Sequence, residues 1–284
     1  MPAADAAPEM LIAFQGELGA FSHQACREVY PEMQPLPCAT FEEAIGAVQR
    51  GEAKLAMLPV ENSTYGRVAD IHNLLPESGL YIIGEHFVRI HLQLLAQKGQ
   101  PLESLRVAHS HPVALGQCRG FLQQKSIAAH IALDTAGSAK WLSEKGGEGD
   151  AAIASALCEE IYGLDIVARD IEDTDHNTTR FLIASRQKIE ADRLGGPAIT
   201  TFVFRVRNIP AALYKAMGGF ATNGVNMVKL ESYMVGGHFT ATQFYADIEG
   251  HPDDPAVARA LEELAFFTSY LKVLGVYPAS PERL

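Results

Sequence analysis

Leu11-Ile12-Ala13-Phe14-Gln15-Gly16-Glu17-Leu18-Gly19-Ala20-Phe21-Ser22 sets the architecture of this chain. The apolar run from Leu11 to Phe14 reads as a short buried strand, two glycines break it, and a helical stretch follows. Strand, glycine turn and helix form the repeating unit of an α/β protein. Such a turn lets backbone N–H groups at the helix start face an anion, with Ser22 as an extra donor. The G-x-G-x-x-G spacing of a dinucleotide site is absent, and plain turn chemistry is the commoner reason for two glycines here.

The same unit recurs downstream. Thr40-Phe41-Glu42-Glu43 predicts a capping box opening a helix through Arg50, closed by Gly51. Lys54 to Val60 reads as a strand that delivers Asn62 and Ser63 at its carboxyl end, before a helix from about 67 to 75. Ligands bind outside the carboxyl ends of strands in open α/β sheets, so these two side chains are either site residues or caps of the next turn. Leu80 to Ala96 is extended and predicts one or two strands crossing between lobes. Strand Leu105 to Ala108 leads to Ser110-His111-Pro112. Proline belongs in a helix first turn, so Ser110 or His111 caps that helix, and His111 is expected to position rather than to act as a base. Strand Ile127 to Leu133 precedes a helix from Asp134-Thr135, and Asp150 to Ala154 is a buried strand handing over to Ser155 at the next helix start. Leu164 to Ala168 is a further strand.

Asp175-His176-Asn177-Thr178-Thr179-Arg180-Phe181-Leu182-Ile183-Ala184-Ser185 then sets hydroxyls, an amide and one cation against an apolar run. Phe181 to Ala184 is expected to be strand, with the polar residues at its entrance. Two βα-rich lobes follow from this pattern, about 10–96 with 165–188 and about 103–163, with polar strand ends converging on a cleft. The Ser-bearing helix starts at Ser22, Ser63, Ser110 and Ser155 are expected to form an anion pocket.

Composition excludes several classes. At 284 residues with 48% hydrophobic and 20% charged content, the chain has room for two domains and the balance of a globular protein. No apolar run reaches the ~18 residues of a membrane span. With 23 Lys and Arg against 34 Asp and Glu, the net charge of -11 opposes nucleic-acid binding. Residues 1–10 carry neither a basic nor an apolar export region, so a disordered leader and a cytoplasmic location are expected. Cys26, Cys38, Cys118 and Cys158 have no C-x-x-C spacing and read as reduced thiols. The histidines show no metal-ligand cluster, so no metal is expected.

Ala191 to Pro197 reads as a linker. Beyond it, strand Thr200 to Arg207, helix Pro210 to Asn223, strand Val225 to Val235, a Gly236-Gly237 hairpin into strand His238 to Ile248, helix Pro255 to Phe267 and strand Tyr270 to Tyr277 make βαββαβ, the split ferredoxin-like motif. This module resembles an ACT domain, an amino-acid-sensing unit of metabolic enzymes. The resemblance lies in Asn208-Ile209-Pro210-Ala211-Ala212-Leu213 and Leu230-Glu231-Ser232, and it implies effector contacts from Asn208, Ala211, Ala212, Leu213, Glu231 and Ser232. Ala211 stands where such loops usually carry Gly, and Tyr233-Met234 where they carry Arg-Pro.

The chain as a whole resembles the prephenate dehydratases with a carboxyl-terminal ACT domain, from about residue 11 to 277. The motifs are Gly16-x-x-Gly19-Ala20-Phe21-Ser22, Leu58-Pro59-Val60-Glu61-Asn62-Ser63, Ser110-His111-Pro112 with Gln117-Cys118, Ala151-Ala152-Ile153-Ala154-Ser155 and Asn177-Thr178-Thr179-Arg180-Phe181. The resemblance implies an α/β catalytic domain over 10–188, two-lobed like periplasmic binding proteins, and a ferredoxin-like ACT domain over 198–278. It implies conversion of prephenate to phenylpyruvate, water and carbon dioxide with no metal or cofactor, with phenylalanine as effector and a homodimer or homotetramer; arogenate is the alternative substrate, and a silent ligand sensor the alternative class. Thr179 is then the catalytic hydroxyl. Ser22, Asn62, Ser63, Ser110, His111, Ser155, Thr178, Arg180 and Phe181 are the implied substrate contacts. Strand alternation puts Thr178 and Arg180 on one face and Thr179 and Phe181 on the other. Either the segment is irregular at Thr179, or one of Thr179 and Arg180 does not touch substrate.

Overall fold

A computed structural model of the chain describes residues 7–189, 196–234 and 241–283. Most of the leader (1–6), most of the expected linker (191–195) and the Gly236-Gly237 hairpin lie outside the described residues. The strands are β1 (Leu11–Gln15), β2 (Gln34–Cys38), β3 (Leu55–Asn62), β4 (Gly66–Arg67), β5 (Tyr81–Arg89), β6 (Gln93–Ala96), β7 (Val107–Ser110), β8 (Ala128–Ile131), β9 (Asp150–Ala154), β10 (Asp165–Ala168), β11 (Thr178–Ser185), β12 (Ala198–Val206), β13 (Met227–Met234), β14 (Ala241–Glu249) and β15 (Thr268–Pro278). The helices are α1 (Phe21–Val29), α2 (Phe41–Arg50), α3 (Ala69–Glu77), α4 (Pro112–Gln117), α5 (Arg119–Lys125), α6 (Thr135–Lys145), α7 (Leu157–Tyr162), α8 (Ala212–Thr222) and α9 (Pro255–Phe267).

The chain folds into two compact units, Met1–Val68 with His86–Phe181, and Ala69–Glu85 with Leu182–Leu284. The first unit contains two sheets. In one, β1 lies parallel between β2 and β3, and the start of β11 runs along the end of β3. In the other, the order is β10-β6-β9-β7-β8, with β7 parallel to both β8 and β9 and with β6 antiparallel to both β9 and β10. The four residues from Ala151 to Ala154 are fully buried, as a strand covered on both faces requires. Their core is completed by α6 and α7 through Ala136, Ala139, Leu142 and Cys158.

Local chemistry accounts for the helix limits. Thr40 accepts the N–H of Glu43, while the Glu43 carboxylate accepts the N–H of Ala39, one residue before the cap itself; Gly51 ends α2 in the left-handed region. Asp134 caps α6 by accepting from Gly137 N–H.

Three expectations are corrected. β6 and β10 belong to the second sheet, so the lobe limits at 96 and 165 move to the crossovers, 90–92 and 169–177; this antiparallel pairing joins segments about seventy residues apart and has no local signal. β11 begins at Thr178 rather than Phe181, because Thr178 and Ser63 exchange main-chain and side-chain bonds that extend the strand pairing. The helix start after β9 is capped by Ala156 without a side-chain bond, not by Ser155.

The second unit holds β12-α8-β13-β14-α9-β15 with strand order β13-β14-β12-β15, its adjacent strands antiparallel, which is the ferredoxin-like βαββαβ arrangement. Phe202, Phe204, Phe220 and Phe244 stack in its core against both helices. β5 adds to β15 in parallel at Ile82 and Gly275. Helix α8 starts at Ala212, two residues later than Pro210, since Ala211 stands in the left-handed region at φ 61°.

Candidate functional site

Within the first unit a cavity of about 240 Å³ opens between the strand ends. Its wall takes Gln15 and Gly16 from the end of β1, Pro59 and Asn62 from β3, His111 and Gln117 around α4, Asp134 and Thr135 at the start of α6, and Asn177, Thr179 and Phe181 at β11. Ser22 lines it from the first turn of α1. The starts of α1, α4 and α6 therefore all reach this wall, so the anion-binding potential of helix amino termini is present. Asp134, however, opposes it at α6.

Side-chain polarity in the wall is set by a turn. The Asn62 carbonyl oxygen accepts both the Thr64 and the Tyr65 N–H, each at 3.0 Å. This fixes the orientation of the amide. Its nitrogen must then face inward, where it donates to Asn177 Oδ1 at 2.7 Å and to Thr179 Oγ1 at 2.9 Å. The Thr179 oxygen thus already accepts a bond, and its own proton is left for a partner in the cavity. Turn and site roles of Asn62, open from sequence, are both filled.

His111 caps α4 by accepting the Val113 N–H on Nδ1 at 3.2 Å. That nitrogen carries no proton, so the neutral ring presents Nε2–H as a donor. The turn below is held by one nearby and two distant groups. His23 Nδ1 accepts Gly19 N–H at 3.0 Å, Ser155 Oγ donates to Gly19 O at 2.6 Å, and Tyr162 donates to Leu18 O at 2.6 Å. Gly19 itself has φ 90°, and a Cβ there would lie 2.6 Å from Cys158 Sγ. Any other residue there would be strained in its backbone and would crowd Cys158.

The structure thus brings Ser22, Asn62, His111, Thr179 and Phe181 to one wall, and leaves five expected contacts off it. Ser63 Oγ bonds the Thr178 N–H and the His176 carbonyl, tying β3 to β11. Ser110 donates to Ile153 O between β7 and β9. Ser155 serves the Gly19 turn, and Thr178 is not among the residues that line the cavity. Arg180 is buried and donates to Glu61 at 2.8 Å. The expected ring of four serine-bearing helix starts is therefore replaced by starts of which only α1 carries its serine into the cavity, because short hydroxyls in close packing are consumed by neighbouring carbonyls. Strand alternation holds through β11, and Arg180 is the member of the pair turned from the wall.

Gln117 and Asn177 were not singled out as site residues from sequence. Both amide nitrogens are buried without a partner among the described residues. A donor so placed in a cavity wall is costly unless something in the cavity accepts from it. The pairing of Gln117 with Cys118 in a short motif was the available signal. All four cysteines are free, and burial pushes the thiols of Cys26, Cys118 and Cys158 up, the last to about 12, so they stay neutral. In the second unit, Asn208, Ala211, Ala212 and Leu213 line a separate cavity of about 290 Å³ with Phe244, whereas Glu231 and Ser232 do not; Glu231 lies 3.6 Å from Lys229.

Two α/β lobes thus enclose a small cavity whose wall carries hydroxyl, amide and imidazole groups among apolar ones. The chain belongs to the prephenate dehydratase family, whose model matches residues 12–189. It is 53% identical to a bifunctional N-acyl-homoserine lactone acylase/prephenate dehydratase of Komagataeibacter europaeus, over 97% of this chain and 98% of that protein. An arogenate dehydratase/prephenate dehydratase of Arabidopsis thaliana is 36% identical over 96% of this chain and 74% of its own. The crystal structure of a prephenate dehydratase from Arthrobacter aurescens in complex with L-Phe superimposes with TM-score 0.86 at 32% identity, covering 95% of this chain and 90% of that one.

Proposed function

We propose that this protein converts prephenate to phenylpyruvate, with Thr179 supplying the proton that the leaving hydroxide takes. The carrying observation is the Asn62 amide donating to Thr179 Oγ1, which leaves the hydroxyl proton available at a residue that lines the cavity. Loss of the ring carboxylate as carbon dioxide sends its bonding electrons into the ring, the C–OH bond breaks as the ring becomes aromatic, and the hydroxide leaves as water. The reaction consumes one proton per turnover, returned to Thr179 from solvent. Hydroxide is the conjugate base of an acid with pKa about 15.7, so a weakly acidic alcohol suffices as donor. Aromatisation drives the decarboxylation. Ser22, His111, Gln117 and Asn177 hold the carboxylates and the ring hydroxyl, and Phe181 covers the ring. Measuring phenylpyruvate release from prephenate and from arogenate at equal concentration tests the reaction and its substrate together; release from neither leaves the ligand-sensor alternative.

The βαββαβ module is assigned as an ACT domain that takes phenylalanine at the 208–213 loop, in an enzyme acting in the cytoplasm as a homodimer or homotetramer. Its strand order and the cavity at the loop support this, and the Arthrobacter relative is described with L-Phe bound. Calorimetric titration with phenylalanine and light scattering check the two parts. The acylase activity also named for the Komagataeibacter relative supports a second reading, hydrolysis of N-acyl-homoserine lactones, on the strength of 53% identity along nearly the whole chain. Release of homoserine lactone from such an amide decides it.

A further inference from the structure

The two crossovers that join the sheets of the first unit run side by side. Ile90 N–H donates to Asn177 O, and Ile171 N–H to Leu92 O. Ile90, Leu92 and Asn177 all line the cavity. On the outer side of this pairing, residues eighty positions apart converge: His91 Nδ1 lies 3.3 Å from Asp170 Oδ1 and 3.1 Å from Glu172 Oε1. All three ligand atoms fall within 4.8 Å of one another.

We propose that His91, Asp170 and Glu172 form a binding site for a divalent transition-metal ion of the zinc type, which clasps the two crossovers beside the cavity. Imidazole nitrogen and carboxylate oxygens at about 2.0–2.2 Å from a tetrahedral zinc ion lie roughly 3.3 Å apart, close to the two separations of His91 from its carboxylates. The donor set of one imidazole and two carboxylates suits zinc, cobalt or nickel, with solvent completing the shell. Both carboxylates are held in place before any ion arrives. Glu172, whose side chain is only 5% exposed, accepts Leu92 N–H on Oε2 at 2.8 Å, which leaves Oε1 toward His91. Asp170 accepts from the buried Gln93 amide at 2.9 Å and returns its own N–H to Gln93 Oε1. Such supporting bonds orient metal ligands and keep them basic. With a neutral imidazole the cluster carries two negative charges, which a divalent ion balances.

An ion here would lock the relation of Leu92 to Asn177, and so the shape of the wall, whatever molecule the cavity accepts. The site does not depend on the reaction assigned above. Its test is direct: the full chain, stripped with chelator, is titrated with Zn²⁺ by calorimetry and with Co²⁺ by visible absorption. One ion per chain is expected at this site, with affinity falling at least tenfold in His91→Ala and in Glu172→Gln and unchanged in His130→Ala, which alters another histidine pair. Glu172→Gln keeps an acceptor for Leu92 N–H, so folding is preserved. Zn²⁺ should also raise the unfolding temperature of the wild type but not of His91→Ala. Absence of saturable binding, or affinities in both cluster variants equal to wild type, would overturn the site.

Discussion

Asn62 Nδ2 sits 2.9 Å from Thr179 Oγ1, and the amide cannot turn because its oxygen is occupied by two backbone N–H groups of the following turn. The direction of the Thr179 O–H is therefore governed from β3. Asn62→Asp replaces the donor by an acceptor, so the threonine proton turns to the carboxylate and away from the cavity. Steady-state kinetics should show kcat reduced about 10²-fold or more, as for loss of a positioned acid, while Thr179→Ser keeps measurable turnover. An Asn62→Asp enzyme with unchanged kcat would remove this control.

Gln117 and Asn177 line the same wall, and their amide nitrogens are buried without a partner among the described residues. Replacing Gln117 by Leu removes a buried donor and its contact with the bound molecule, so kcat/KM should fall by about tenfold or more, in line with ~1–3 kcal/mol for a buried hydrogen bond. Stability in urea should change little or increase, since the free protein loses an unsatisfied group. A kcat/KM equal to wild type would exclude a contact from Gln117.

Arg180 behaves differently in this account. Its guanidinium is buried and donates to Glu61, whose side chain is 31% exposed, so Arg180→Ala should cost about 1 to 3 kcal/mol of stability, read from urea unfolding, by removing a charge-assisted hydrogen bond from a buried site. Arg180→Lys, which cannot reproduce the planar fork, should lower stability with KM nearly unchanged. A large rise in KM at normal stability would return Arg180 to the substrate.

His23 supplies a pH signature. Burial, assisted by Arg27, holds its ring well below the ordinary value, at about 4 against 6.5. The folded state therefore favours the neutral ring, whose Nδ1 accepts from Gly19. The unfolded state takes up its proton first as pH falls, so this contribution is complete above pH 6.5 and is lost between 6.5 and 4. Its size is about 3 kcal/mol. Urea unfolding across that range should show the loss, and His23→Asn, which keeps an acceptor for Gly19 but does not titrate, should flatten the slope.

Ala211 carries a side chain at φ 61° at the mouth of the second unit's loop cavity. Ala211→Gly should stabilise the protein by about 1 kcal/mol, measured by urea or thermal unfolding, since glycine takes the left-handed region without penalty. If the loop binds phenylalanine, the variant should still bind it.

Elements carried by local chemistry were legible from sequence. Apolar runs marked β1, β3 and β9, Thr40 and Asp134 announced α2 and α6, and the order of the second unit's elements followed from periodicity and glycine punctuation. Partnerships between distant segments were not. Ser155 is a donor to Gly19, 136 positions away, and nothing near Ser155 distinguishes that role from a helix cap. The lobe limits failed for the same reason, because β6 and β10 declare themselves only through their pairing. Gln117 and Asn177 lie within motifs visible in the sequence, but their unsatisfied amide nitrogens show only once burial is known. His91 shows no ligand spacing because Asp170 and Glu172 reach it from the other crossover. The alternation of Thr178 and Arg180 against Thr179 and Phe181 was visible, but Glu61 as the partner that draws Arg180 off the wall was not.

The central claim, that the Thr179 hydroxyl delivers the proton on which the elimination depends, is tested most directly by phenylpyruvate formation at saturating prephenate for wild type and Thr179→Ala. The expected result is robust turnover by the wild type, kcat lower by about 10²–10⁴-fold in the variant, and KM within a few-fold. Turnover of Thr179→Ala close to wild type would contradict the claim.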